Sequence, residues 1–166
     1  MAKLKIGALL ITVSVIFSSF MGCSKRKLAV DYRESSFIAV ARMTDRTGEL
    51  TAKVTSSRGC VYIELLTPDS LSGITLCREA FGDFILCGDL KVPSEQYAYL
   101  LEWLDVILPQ GEIILTGKTS LDGSEALGAV IETESVEIYL DKSTYAPLKI
   151  IKKDRQISLI SFDYTS

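Results

Sequence analysis

The 166-residue chain contains no histidine. That removes Ser–His and Cys–His nucleophilic pairs, imidazole-ligated zinc and an imidazole general base. Catalysis would then have to come from paired carboxylates, a Ser–Lys pair or a bound cofactor. Ser24 and Lys27 have the Ser-x-x-Lys spacing that lets a lysine activate a serine on a helix, but they sit in a basic stretch with no helix or pocket to position them. The match is chance. Glu132 and Glu134 lie two residues apart, so at strand spacing they share one face, and solvent is the expected neighbour of that face. A glycosidase-like pair needs opposed carboxylates across a groove, which nothing in the sequence arranges. There is no glycine-rich phosphate loop. The cysteines are Cys23, Cys60, Cys77 and Cys87, with no CxxC among them, which argues against a metal or redox motif. Cys77 and Cys87 flank a turn at 80–83, so a cross-strand disulfide and a set of small apolar residues both stay open; the second is preferred, because pairing depends on register. The chain is expected not to be an enzyme and to need neither cofactor nor metal.

Cys23 stands apart from the other three. Lys3 and Lys5 precede an apolar run, Ile6 to Met21, that closes on Phe20-Met21-Gly22-Cys23. That order of basic, apolar and processing segments is an export signal. A signal ending in Gly-Cys resembles those of bacterial lipoproteins, which implies acylation of Cys23 and cleavage just before it. Phe20 and Met21 depart from the Leu and Ser/Ala usual at those places. Two other readings use the same residues. Ordinary secretion wants small residues one and three before the cut, which Phe20 fits poorly. An uncleaved anchor finds 17 residues between Lys5 and Cys23, at the short edge of a bilayer span, followed by Lys25-Arg26-Lys27, a cluster that prefers the cytoplasmic side. On the lipoprotein reading, 1–22 is the signal peptide, 23–36 the lipidated cysteine and its tether, and 37–166 a single domain. The protein is then expected in the cell envelope, outside the cytoplasm, lipid-anchored to a membrane.

Removing 1–22 leaves 144 residues, enough for one domain with a sizeable core. Lys3 and Lys5 leave with the signal, so 18 basic residues become 16 against 21 acidic ones, a formal charge of −5. That balance suits a soluble monomer and excludes a nucleic-acid surface.

From Phe37 onward apolar residues recur at period two. Strands are predicted at 37–45, 49–57, 60–66, 74–79 and 83–87, separated by short turns such as Arg46-Thr47-Gly48. Successive strands with such short links form an antiparallel meander, because a parallel return needs a long crossover. The segment 24–36 fits either a strand through Leu28, Val30 and Tyr32 or a short helix from Asp31. The pattern breaks at Val92-Pro93-Ser94, where Ser94 is a suitable N-cap and Glu95 suits the positive end of a helix. Tyr97, Leu100, Leu101, Leu104 and Leu108 then recur at helical spacing, and Tyr99, Trp103 and Val106 widen the apolar stripe past half the circumference. Pro109 and Gly111 end it. Strands resume at 112–118, 126–133, 136–141, 148–153 and 156–164. The expected fold is α+β: a strongly curved antiparallel sheet of about ten strands, an open half-barrel, wrapped over one central helix.

A lipoprotein signal before one antiparallel sheet, with an apolar helix inserted after its fifth strand, resembles the lipoprotein-localisation-factor superfamily of periplasmic carriers and outer-membrane receptors. The resemblance spans roughly 36–164 and rests on the 37–45 strand, the connection Leu66-Thr67-Pro68-Asp69-Ser70-Leu71-Ser72-Gly73 and the closing Tyr145-Ala146-Pro147-Leu148 hairpin. It implies a cavity between sheet and helix that takes acyl chains of a lipid or a lipoprotein. Trp103, Tyr99 and Leu100 are the helix residues it would present to that ligand, and Arg42 is the strand arginine it would place near the mouth. The alternative is a non-enzymatic interaction or structural lipoprotein of the envelope, with those residues filling a core. An open apolar cavity favours the first reading and a solid core the second.

Overall fold

The computed structural model describes residues 28–57, 59–92 and 97–165. Cys23, with the whole signal and the basic cluster of the tether, lies outside the described residues, as does the expected helix cap at Ser94 and Glu95. Among the described residues no helix is long and apolar enough to cross a membrane.

Eleven strands form one antiparallel sheet: β1 (Phe37–Asp45), β2 (Gly48–Ser57), β3 (Cys60–Thr67), β4 (Ile74–Glu79), β5 (Gly82–Cys87), β6 (Leu90–Val92), β7 (Ile114–Leu121), β8 (Ser124–Ile131), β9 (Val136–Leu140), β10 (Pro147–Lys152) and β11 (Arg155–Tyr164). The spatial order is β6-β5-β4-β3-β2-β1-β11-β10-β9-β8-β7. Two meanders therefore meet where the first strand pairs with the last, Phe37 opposite Tyr164 and Met43 opposite Ile157. Sequence periodicity predicts ten of these strands. The eleventh is β6, a three-residue edge strand whose Leu90, Lys91 and Val92 are too few to show a period. It also moves the helix from after the fifth strand to after the sixth.

The single α-helix of the described residues, α1 (Ala98–Ile107), joins β6 to β7. Those strands lie at opposite edges of the sheet, so the link must cross it. Helix α1 touches β4 as well as β10 and β11. These strands are up to five steps apart in the sheet, about 24 Å if the sheet were flat, against a helix only about 10–12 Å across. The sheet curves round the helix. Bulges at Val40/Ala41, Thr51/Ala52, Pro147/Lys149 and Leu115/Gly117 increase local twist and support that curvature.

Alternation decides which side chains face the helix. Along β1, Phe37, Ala39, Ala41 and Met43 are fully buried, while Ile38 and Arg42 point to the outer face. Ala52 and Val54 continue the buried face on β2, Ile63 and Leu65 on β3, and Ile138, Ile150 and Ile157 on the far side. They join Leu100, Leu101, Trp103, Leu104, Val106 and Ile107 of α1 in one cluster. At Gly111, just past the helix, φ is +100° and an added Cβ would lie 2.8 Å from Thr133 Oγ1 and 2.9 Å from Ile131 Cγ2. Only glycine fits that return into β7.

The three cysteines among the described residues do not pair. Register sets Cys77 opposite Phe84 and Cys87 opposite Ile74, and Cys60, Cys77 and Cys87 are all free thiols. Cys77 is buried, and burial pushes its thiol up to about 11, but Cys60 is only partly covered and Cys87 is exposed.

Candidate functional site

The concave side of the sheet and the helix seated in it form the candidate site. Two of the residues expected to meet a ligand lie deep within it: Trp103 is 1% and Leu100 4% exposed. Tyr99 is on the solvent side of α1, at 55% exposure. Arg42 occupies the outer face of β1, with its Nε 3.3 Å from Glu49 Oε1, and does not approach the helix. The structure thus brings Trp103 and Leu100 together and separates the other two from them.

Two other arginines hold the helix. Arg78 follows Ile74 and Leu76 at period two, so it lies on the inward face of β4, where its Nη2 is 2.8 Å from Asp105 Oδ1 of the helix and 2.7 Å from Asp83 Oδ2. The hydrogen bonds to Asp83 and then Asp105 push the Arg78 guanidinium above its usual range, although burial opposes this. Arg155 precedes Ile157 and Leu159 at the same period on β11. It pairs with Glu102 of α1 and donates from Nη2 to the Tyr99 carbonyl at 3.3 Å. Its Cζ lies 5.5 Å from the Trp103 ring, a cation–π distance. A cation placed in the apolar register of a strand is the sequence signal for both.

The carboxyl end of α1 is held differently. Residues Tyr32–Glu34 form a 3₁₀ turn that Asp31 caps, accepting from the Arg33 amide at 3.0 Å. Tyr32 is fully buried and its hydroxyl donates to the Ile107 carbonyl at 3.0 Å. Arg33 donates to the Pro109 carbonyl at 2.6 Å and to that of Gly111 at 2.8 Å. Tyr32 satisfies a carbonyl left free at the helix end, and Arg33 satisfies two in the turn beyond it, near the negative end of the helix dipole. Burial pushes the Tyr32 phenol well above its usual range. Burial also opposes ionisation of Asp31, but the Arg33 hydrogen bonds and charge outweigh it and hold the carboxyl below its ordinary value of 3.8. At the other end of α1, Tyr97 makes no side-chain cap.

Among the described residues no group of three or more Cys, Asp or Glu side chains is placed to hold a metal. Glu132 and Glu134 lie in a 3₁₀ turn, not on a strand, and Glu134 binds Lys152 at 2.6 Å.

No protein-family model matches the chain, and no curated protein matches it. Among solved structures, an uncharacterized conserved protein from Thermus thermophilus superposes with a TM-score of 0.55 and 19% identity, over 80% of each chain. At that identity the likeness is one of fold. The MucA/MucB complex of Pseudomonas aeruginosa gives 0.46 and 18%, over 81% of this chain and 53% of that one, so this chain spans about half its length. A LolA superfamily protein from Nitrosomonas europaea gives 0.33 and 10%, over 84% and 86%. The last two superpose too loosely to carry an argument about function.

Proposed function

We propose that the domain binds a hydrophobic ligand through its acyl chains, without catalysing a reaction on it, and that the ligand takes the place of α1 in the concave sheet. The observation that carries this is how the helix is attached. Six apolar side chains of α1 fill the concavity, yet its flanks are fastened to the sheet through carboxylates, Glu102 and Asp105, that are 56% and 50% exposed. Exposed ion pairs contribute at most about 1 kcal/mol each. The apolar face contributes more, on the order of 9–18 kcal/mol if each of the six buried side chains counts about 1.5–3 kcal/mol. A competing ligand must offer a similar apolar area, which at about 0.8 kcal/mol per methylene means roughly fifteen methylenes. A long acyl chain meets that requirement and a small metabolite does not.

The lipoprotein reading of residues 1–23 adds that the domain works at a membrane surface, tethered through Cys23. Trp103 and Leu100 are then the residues the chain replaces or touches. A second reading, an interaction module with a permanently filled core, is favoured by the near-complete burial of Trp103 and Leu104.

Native mass spectrometry of the domain from Ser24 onward, purified without detergent, separates the two. Co-purified lipid that dissociates on activation supports ligand binding. A bare mass that also ignores added fatty acids and phospholipids leaves the filled-core reading.

A further inference from the structure

We infer that the groove beside α1 receives a phosphate-bearing head group, so that the ligand of the domain is an anionic acyl lipid. This rests on the reading above and specifies its substrate class. The groove, about 520 Å³, lies between α1 and two hairpin tips; four cations line it, Arg46, Lys152, Lys153 and Arg155, against three carboxylates, Glu102, Asp105 and Asp154, which leaves one positive charge in excess. Arg46 comes from the β1–β2 turn and Lys153 from the β10–β11 turn. The tips are held side by side, with Arg46 Nε 2.9 Å from Asp154 Oδ2.

Three of the four cations are engaged with carboxylates: Arg46 with Asp154, Lys152 with Glu134 and Arg155 with Glu102. Lys153 is exposed and has no such partner among the described residues. Glu102 is 56% exposed, so water already competes for it. The buried Nε of Arg155 faces Asp45, whose Oδ2 stands 4.0 Å away, so what this arginine can offer a ligand is the Nη1 that Glu102 now occupies. A phosphate accepts from a guanidinium as a carboxylate does, so it competes with Glu102 for Arg155 while Lys153 adds an unengaged charge beside it.

The same arginine marks the boundary between polar and apolar surroundings. One side of it faces the groove, and the other faces the Trp103 ring at 5.5 Å. Val106 of α1 also lines the groove. A head group at Arg155 and Lys153 therefore leaves its acyl chain running past Val106 and Trp103 toward the concave face. Binding of phosphate by Arg155 releases Glu102, and with it one fastening of the helix. Recognition of the head is thus linked to admission of the chain. A zwitterionic head brings an ammonium group against Lys153 and Arg46 and loses that advantage.

The test uses the full-length chain in phosphatidylcholine vesicles doped with a photoactivatable acyl lipid, either phosphatidylglycerol or phosphatidylcholine with identical chains. Labelled peptides are quantified after digestion. The expected result is at least tenfold more labelling of the 98–107 and 155–164 peptides by phosphatidylglycerol, an excess that shrinks with added salt and is lost in R46Q/K153Q. In E102Q, labelling by phosphatidylglycerol should rise more than labelling by phosphatidylcholine, because a competitor for Arg155 has gone; a Glu102 that only fastens the helix would raise both alike. Equal labelling by the two lipids overturns the head-group assignment and leaves acyl binding intact. Absence of interior labelling by either lipid overturns both readings. Loss of the excess on adding micromolar glycerol phosphate overturns the lipid assignment in favour of a free phosphate.

Discussion

The two attachments of α1 differ in kind. At its carboxyl end the helix is held by a fully buried tyrosine hydroxyl on Ile107 and by Arg33 on two backbone carbonyls. Along its flanks it is held by Arg78 and Arg155 through exposed carboxylates. Ile107 and Pro109 are buried, and bonds to buried carbonyls are costly to break, because the carbonyl is left without a partner. Exposed ion pairs exchange readily with water and salt. The first arrangement makes a fixed point and the second a fastening that opens. If the helix leaves the sheet, it pivots about residues 107–111.

Mutations can break this comparison at either place. The largest expected effect lies outside both attachments and sets the scale: Trp103→Ala removes the largest buried side chain of the core and should cost about 3–5 kcal/mol in chemical denaturation. Tyr32→Phe deletes only the hydroxyl at the fixed point, yet should cost about 1–3 kcal/mol and speed amide exchange at 107–113. Acid weakens the same place. The Asp31 carboxyl is depressed below 3.8, so its stabilisation is complete above that unfolded value and disappears as pH falls through the lower folded one. Thermal midpoints should drop as pH falls below 3.8 in the wild type, and that part of the drop should be absent in Asp31→Asn. At the flanks, Asp105→Asn should cost at most about 1 kcal/mol, with a difference from wild type that shrinks in high salt. Tyr99→Ala, on the solvent side, should stay within about 0.5 kcal/mol of wild type. A flank variant that costs more than Tyr32→Phe would reverse the assignment of fixed point and fastening.

Much of the sheet is legible in the sequence because strands alternate and their turns are short. Leu50, Ala52 and Val54, for example, declare one face of β2 from sequence alone. The three residues of β6 cannot, since a period needs more repeats than that strand has. The helix is legible in its apolar width, and Trp103 and Leu100 belong to the face that width implies. The arginine is not. Arg42 has only its place on the first strand to recommend it, and Ala41 and Met43 beside it occupy the buried parity and push it outward. Arg78 and Arg155 carry the sign that Arg42 lacks, a charge in register with buried Leu76 and Ile157. The turn at 32–34 is hidden for another reason: its hydrogen bonds run to residues more than 70 positions away.

The central claim is that an acyl chain and α1 compete for the same concave surface. Trp103 is the only tryptophan in the chain, so its emission reports on that surface alone. Titration with lipids brominated along their acyl chains tests the claim, because bromine quenches tryptophan only near contact. Saturable quenching of Trp103, absent with unbrominated lipid of the same head group, is the predicted result. Lipid that binds while Trp103 stays unquenched, or lipid that does not bind, would contradict it.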